Sequence, residues 1–179
     1  MKENIPNAVT VLRLFLAFIL PLSEPTSSVF LTIVAVCGVT DVLDGFLARR
    51  WNAVSRIGSI LDSTADVAFM IVLVLCLVSH YPLEPWMIVW ISAIAVLRLL
   101  SFAIGYARHG EPGFIHTYLN KAAGLLIFLS PFIIILMGLS ASMILICSVA
   151  TVSSVEFLYI NMYSKDYDPD RKSVLIRKS

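Results

Sequence analysis

Charged residues are scarce in this chain of 179 residues: they make up 14% of the sequence, whereas 59% of it is hydrophobic. Because soluble domains usually carry about 25% charged residues, this deficit argues against a soluble globular protein. The mean hydropathy of +0.89 and the long apolar runs indicate instead a polytopic membrane protein. The length suits a single domain over residues 1–179, in which residues 164–179 form a polar cytoplasmic tail.

Cysteine and net charge are also low. The three cysteines, Cys37, Cys76 and Cys147, lie apart from one another in apolar segments, so no spacing indicates a metal site or a disulfide framework. Small buried apolar side chains are the simpler interpretation of them. The formal net charge of +1 provides no overall field to attract nucleic acid, and we expect no nucleic-acid partner.

Apolar stretches alternate with short polar breaks along the chain, and each is long enough to span or nearly span a bilayer. The sequence therefore predicts an all-α fold with six transmembrane helices. They run near Asn7–Leu22, Ser28–Arg50, Ile57–Ser79, Pro85–Arg108, Tyr118–Leu139 and Ser140–Tyr163. The break between the last two depends on Gly138 and the serines after it, and one long kinked segment is the alternative.

The distribution of lysine and arginine predicts the orientation in the membrane. The loop between helices two and three, the loop between helices four and five, and the C-terminal tail are basic, whereas the opposite loops contain Glu24 and Glu84 but no Lys or Arg. By the positive-inside rule, the N- and C-termini and both basic loops are cytoplasmic. No transit segment is apparent at the N-terminus, so we expect a multi-pass protein of a bacterial or archaeal plasma membrane.

Four aspartates interrupt the apolar helices two and three: Asp41 and Asp44 in the first, Asp62 and Asp66 in the second. A carboxylate at the bilayer centre costs roughly 2.5–3.5 kcal/mol, so four of them mark a functional region. The spacing of three or four residues puts each pair on one helix face. A short connection makes the two helices antiparallel, and the four carboxylates can converge in one pocket that opens to the cytoplasm.

Small residues share these two faces, namely Gly45 and Ala48 in helix two and Gly58 in helix three. Small side chains let helices approach closely and leave space for a ligand against the backbone. Arg49 lies at the cytoplasmic mouth, where its guanidinium is suited to hold an anionic phosphate by paired hydrogen bonds. The hairpin is therefore built to bind an anionic ligand beside its acids.

The four carboxylates predict a metal site. Hard oxygen ligands without His or Cys favour Mg²⁺, Mn²⁺ or Ca²⁺, and four acids suffice for two divalent cations. The structural alternative is that the acids pair internally with Arg13 and Arg98, which both lie within helices. Two cations cannot neutralise four acids, which favours the metal site.

The fixed positions of this hairpin resemble those of the CDP-alcohol phosphatidyltransferase family. The family pattern is D-x2-D-G-x2-A-R-x8-G-x3-D-x3-D, and the stretch from Asp41 to Asp66 supplies every fixed residue of it. Two shorter matches extend the resemblance. The opening NIPNAVTVLRL is similar to that of phosphatidylglycerophosphate synthases, and Leu119-Asn120-Lys121 is similar to a segment of their fifth helix.

The resemblance implies a reaction in phospholipid biosynthesis. A CDP-linked lipid, usually CDP-diacylglycerol, donates its phosphatidyl group to a small polar alcohol, and CMP leaves. The cofactors implied are two divalent cations, Mg²⁺ or Mn²⁺, and the family is commonly homodimeric in the lipid bilayer. By the family pattern, the metal ligands are Asp41, Asp44 and Asp62, with Asp66 as general base and further ligand, and the CDP pocket is lined by Gly45, Ala48, Arg49, Gly58 and Thr10.

The sequence indicates the acceptor alcohol less specifically than it indicates the reaction. The basic residues Arg98, Arg108, His116 and Lys121 can form an acceptor pocket, which favours a phosphorylated alcohol such as glycerol 3-phosphate. The segment LDSTADV, however, is closer to that of serine-transferring members. Serine, inositol phosphate and a lipid alcohol therefore stay as alternatives, and a non-catalytic cation-binding protein or transporter is the alternative from another class.

Overall fold

The computed structural model describes residues 4–50, 56–110 and 117–164, and in these ranges every regular element is a helix. The all-α class is thereby confirmed. The helices are α1 (Asn4–Ile19), α2 (Ser28–Arg50), α3 (Arg56–His80), α4 (Pro85–His109), α5 (Tyr118–Phe128) and α6 (Ser130–Tyr163), with a 3-10 turn at Leu20–Leu22. The chain divides into two compact units, Met1–Pro82 and Leu83–Ser179.

The helix ends follow from local chemistry. Helix α2 begins after Ser27, whose hydroxyl accepts a hydrogen bond from the Phe30 amide, and Thr117 caps α5 in the same way through the Asn120 amide. Proline occupies the first turn of α4, where its missing N–H has no cost, and Gly110 ends that helix with φ 68°. The bounds of α2 match the predicted ones, and those of α3 and α4 differ by one residue.

Each helix of the first unit presents one buried face. In α1 and the 3-10 turn that follows it, this face contains Thr10, Arg13, Ala17 and Leu20; in α2 it contains Phe30, Ile33, Val34 and Cys37; in α3 it contains Ala65, Phe69, Leu73 and Leu77. These intervals of three and four residues form the stripe of an amphipathic helix, here turned toward its neighbours. Helix α1 packs against both α2 and α3. Asp41 lies one turn after Cys37, so it is on the side of α2 that carries the buried residues.

The second unit is organised around α6, which packs against both α4 and α5. Three contacts give the direction of α4 relative to α6: Trp90 donates to Thr151, Arg98 to Ser154, and the ring of Phe102 meets that of Phe157. The residue numbers rise together along both helices, so α4 and the later part of α6 run parallel. Parallel neighbours need a return segment between them.

Gly138 interrupts α6 and allows that return. Its backbone angles, φ 77° and ψ 168°, are non-helical and belong to a region that is essentially restricted to glycine. The stretch from Tyr118 to Gly138, about 20 residues or ~30 Å of helix, supplies the antiparallel pass. The predicted break at Gly138 is thus present. The prediction of one helix over Tyr118–Leu139 was wrong, because α5 ends at Phe128 and Pro131 starts a new helix.

The described surface is apolar and the described interior is partly polar. Two helical stretches, Pro85–Arg108 and Ser130–Tyr163, are long and apolar enough to cross a membrane, and only 11% of the most apolar part of each is buried. The core helix of a soluble protein would be mostly buried. Large exposed apolar surfaces mark contact with protein or lipid, and this distribution is that of a membrane protein. The buried polar residues are Thr10, Arg13, Ser101, Thr117, Ser130, Ser142, Ser153, Ser154, Glu156 and Asn161.

Candidate active site

Arg13 joins the acids of α2 and α3. Its Nη1 lies 3.1 Å from Oδ1 of Asp41 and also hydrogen-bonds to Oδ1 of Asp66. The Arg13 side chain is 2% exposed, whereas those of Asp41 and Asp66 are 47% and 46% exposed. Two acids that lie 25 residues apart in sequence therefore meet at one buried nitrogen, and each keeps about half of its surface open to a ligand.

The local reason for this meeting is the register of the three helices. Arg13 belongs to the buried stripe of α1, one turn after Thr10, which is also buried. Asp41 extends the buried stripe of α2, and Asp66 directly follows the buried Ala65 of α3. Because α1 contacts both other helices, its arginine reaches both acids. The apolar stripes thus set the position of the charged groups.

The alternative that the acids pair internally with Arg13 holds for Asp41 and Asp66, the two aspartates whose side chains the structure describes here. Arg13 was predicted as an alternative partner of the acids and not as part of the site. The signal was present in the sequence, since an arginine inside an apolar helix is expensive and needs a partner.

Asp41 and Asp66 carry oxygen donors on opposite helices beside one arginine. Their Oδ1 atoms both bind Arg13 Nη1, which occupies the point on which the two carboxylates converge. An all-oxygen donor set suits Mg²⁺ or Mn²⁺. The side chains that the structure describes contain no group of three potential metal ligands. The remaining predicted ligands, Asp44 and Asp62, have side chains outside the described set, although both lie on helical backbone in α2 and α3.

Several residues of the predicted CDP pocket also lie on described helical backbone, while their side chains are not described. Gly45, Ala48 and Arg49 lie on the helical backbone of α2, and Gly58 lies on that of α3. The side chains of residues 42–63 are not among those described, so their part in a CDP pocket stays a prediction.

Arg98 of the second unit has a different set of partners. Its Nε donates to Ser154 Oγ at 2.9 Å, its Nη1 to Asn120 Oδ1 at 2.8 Å, and its Nη2 to Ser153 Oγ at 3.0 Å. The guanidinium carbon lies 5.4 Å from the centre of the Phe157 ring, within the range of a cation–π contact. Sequence reasoning named Arg98 but missed these three polar partners, which look like ordinary polar residues of apolar helices.

The other predicted acceptor residues that the structure describes have contacts of their own. Arg108 is exposed and its Nη1 donates to the backbone carbonyl of Met162. Lys121 is exposed on α5, one residue after the Asn120 that binds Arg98. His116 lies outside the described residues. Arg98 therefore hydrogen-bonds to Asn120, the residue before Lys121. The basic acceptor pocket as a whole stays a prediction.

Comparison with known proteins identifies the family. The family model described as CDP-alcohol phosphatidyltransferase matches residues 3–155, which is most of the chain. The chain belongs to the CDP-alcohol phosphatidyltransferase family, and the resemblance found in the hairpin sequence is confirmed. The two long apolar helices agree with a membrane protein of this family.

Three curated relatives carry the name CDP-diacylglycerol–glycerol-3-phosphate 3-phosphatidyltransferase. The Haemophilus influenzae protein is 41% identical over 88 residues, 45% of this chain and 46% of the relative. The Cereibacter sphaeroides protein is 35% identical over 100 residues, 52% and 45% of the two chains. The Escherichia coli K12 protein is 35% identical over 104 residues, 55% and 56% of the two chains. The chain spans about half the length of the curated relatives it matches, and no solved structure matches it significantly.

Proposed function

We propose that this protein transfers the phosphatidyl group of CDP-diacylglycerol to glycerol 3-phosphate and releases CMP. Family membership and the names of the three relatives support the reaction and the acceptor. The observation that carries the proposal is the convergence of Asp41 and Asp66 on Arg13, because it brings acids from both halves of the family pattern to one point. Arg98, Arg108, His116 and Lys121 are the proposed acceptor-binding residues.

The chemistry assigns a role to each acid. The acceptor hydroxyl gives its proton to the carboxylate of Asp66 while its oxygen forms a bond to the phosphatidyl phosphorus. The bond from that phosphorus to the bridging pyrophosphate oxygen breaks, and CMP leaves with that oxygen. The four aspartates Asp41, Asp44, Asp62 and Asp66 would hold two divalent cations, Mg²⁺ or Mn²⁺, which supply positive charge beside the pyrophosphate.

The remaining residues bind and orient the donor. Thr10, Gly45, Ala48, Arg49 and Gly58 are proposed to line the CDP pocket. The buried position of Thr10, one turn from Arg13, supports its place beside the acids. Arg13 lowers the repulsion between Asp41 and Asp66 and fixes the orientation of the Asp66 carboxylate.

We further propose six membrane passes, cytoplasmic termini, an active site that faces the cytoplasm, and a homodimer. The parallel course of α4 and the later part of α6 supports three passes in the second unit, because a return pass must separate them. A cysteine placed at Lys172 or at Glu24, in a variant without native cysteines, tests the orientation. An impermeant maleimide applied to intact cells is expected to label the Glu24 position and to spare the Lys172 position. Labelling of the cysteine at position 172 without labelling of the cysteine at position 24 contradicts the proposed orientation.

The decisive experiment is CMP release by the purified protein in detergent. The reaction contains CDP-diacylglycerol, Mg²⁺ or Mn²⁺, and one acceptor from a panel of glycerol 3-phosphate, serine, inositol phosphate and phosphatidylglycerol. We expect release with glycerol 3-phosphate that stops on chelation. Release with another acceptor alone would correct the substrate. Metal binding without CMP release from any acceptor would instead favour a non-catalytic cation-binding protein or transporter.

A further inference from the structure

The guanidinium of Arg98 is held from three directions by neutral oxygen atoms. Helix α6 supplies the hydroxyls of Ser153 and Ser154, and α5 supplies the amide oxygen of Asn120. Each of the three guanidinium nitrogens makes one of these bonds. The group is thereby fixed in orientation as well as in position, and Ser153 and Ser154 are themselves fully buried.

None of these three partners carries a charge. In the described parts of the chain no carboxylate forms an ion pair with it, in contrast to Arg13, which meets two. Arg98 is half-buried. An arginine in an apolar helix that serves only stability is expected to have an acidic partner, since a partly desolvated cation without one is costly. The cost of holding Arg98 this way suggests an anion that arrives from outside the protein.

The donor inventory indicates what kind of anion. A guanidinium has five N–H groups, and the three bonds consume one on each nitrogen. One N–H is then left on Nη1 and one on Nη2. Two terminal donors of one planar group match two oxygens of a phosphate, which is the bidentate geometry that favours arginine at phosphate sites.

We propose that Asn120, Ser153 and Ser154 are positioning residues that hold Arg98 without neutralising its charge, so that it binds the phosphate monoester of the acceptor. This inference rests on the proposed function and deepens it. The partners must be neutral, because a carboxylate in place of one of them would form an ion pair with the guanidinium and compete with the phosphate. The cradle therefore selects a phosphorylated acceptor over an uncharged alcohol.

The substitution Asn120→Asp tests the role of neutrality. The aspartate keeps an oxygen at the Asn120 Oδ1 position, so it is expected to pair with Arg98 and to leave the melting temperature unchanged or higher. Binding of glycerol 3-phosphate, measured by calorimetry in detergent, is expected to weaken about tenfold or more, the size of a lost charge-assisted contact. KM for glycerol 3-phosphate rises in parallel, while KM for CDP-diacylglycerol stays the same.

Two further variants keep the test decisive. Thr151→Val is the matched control, since it removes the Trp90 hydrogen bond from the same α4–α6 contact without touching Arg98. It is expected to leave acceptor binding unchanged. If Asn120→Asp does not fold, the double variant Ser153→Ala/Ser154→Ala replaces it, with an expected rise of acceptor KM of severalfold at nearly constant kcat.

The outcomes separate this inference from the proposed function. A stable Asn120→Asp protein with unchanged glycerol 3-phosphate binding overturns the inference and leaves the proposed function intact. The same conclusion follows if Asn120→Asp and Thr151→Val weaken glycerol 3-phosphate binding by the same factor. A wild-type protein that releases CMP only with an unphosphorylated acceptor, or that does not bind glycerol 3-phosphate, overturns both. Weak binding in Asn120→Asp together with retained stability supports the inference.

Discussion

Each unit of the chain contains an arginine in the interior of an apolar helix, Arg13 in the first and Arg98 in the second, and the two have different partners. In the first unit Arg13 meets the carboxylates of Asp41 and Asp66, whereas in the second unit Arg98 meets only neutral oxygens among the described residues. A cation between two acids reduces their mutual repulsion. A cation among hydroxyls and an amide keeps its charge for an external anion. Arg13 is buried and Arg98 is half-buried, and the comparison teaches that the partners of an arginine inside a helix indicate its role.

The largest effect is expected from Asp66→Asn. The asparagine keeps an oxygen that accepts from Arg13 but cannot take a proton from the acceptor, so turnover should fall by about 10²–10⁴-fold. Binding of the CDP-lipid should remain largely intact. Asp41→Asn, which changes the other acid on Arg13, is the matched variant and should lose donor binding as well as turnover. Equal losses of binding and turnover in Asp66→Asn would contradict the assignment of the base.

Arg13→Gln is expected to have the next largest effect, on stability and its response to metal. Without the guanidinium, Asp41 and Asp66 repel each other, and the melting temperature in EDTA should fall by several degrees, at about 2–4 °C per kcal/mol for a chain of this size. Mn²⁺ should restore more stability in this variant than in the wild type, because the ion replaces the missing cation.

Arg98→Gln provides the contrasting measurement in the same melting experiment. Its partners are neutral, so the shift that Mn²⁺ produces should equal that of the wild type. A wild-type melt that is the same in EDTA and in MnCl₂ would count against the metal site. An equal Mn²⁺ response in Arg13→Gln and the wild type would show that Arg13 does not act as a counter-ion to the metal-binding acids.

The smallest effect concerns the backbone that holds the second unit together. Gly138→Ala is expected to destabilise the protein by about 1–3 kcal/mol, because alanine is strained at a φ of 77° even though open space surrounds the position. Gly124→Ala is the control, since Gly124 lies within α5 with similar open space and should be neutral or slightly stabilised. Thermal melts in detergent compare the two. Similar melting temperatures would mean that Gly138 is helical in the working protein.

The sequence predicted local structure well where its signals were local. The bounds of α2 were correct because Ser27 caps one end and basic residues close the other, and Gly138 was correctly identified as a break. The start of α6 was missed, although Pro131 marks it, because only Ser130 interrupts the apolar run on either side of Leu129. Hydropathy alone does not register a break within a continuous apolar stretch.

By itself the sequence determined the family, the spacing of the four aspartates and the helical faces that carry them, because these depend on intervals of three and four residues along one helix. It offered Arg13 and Arg98 as equivalent partners for those acids. Only the tertiary structure separated them: packing of α1 against α2 and α3 brings Arg13 to Asp41 and Asp66, and packing of α6 against α4 and α5 surrounds Arg98 with neutral oxygens. Helical periodicity fixes which residues share a face, whereas the contacts between faces depend on how different helices pack.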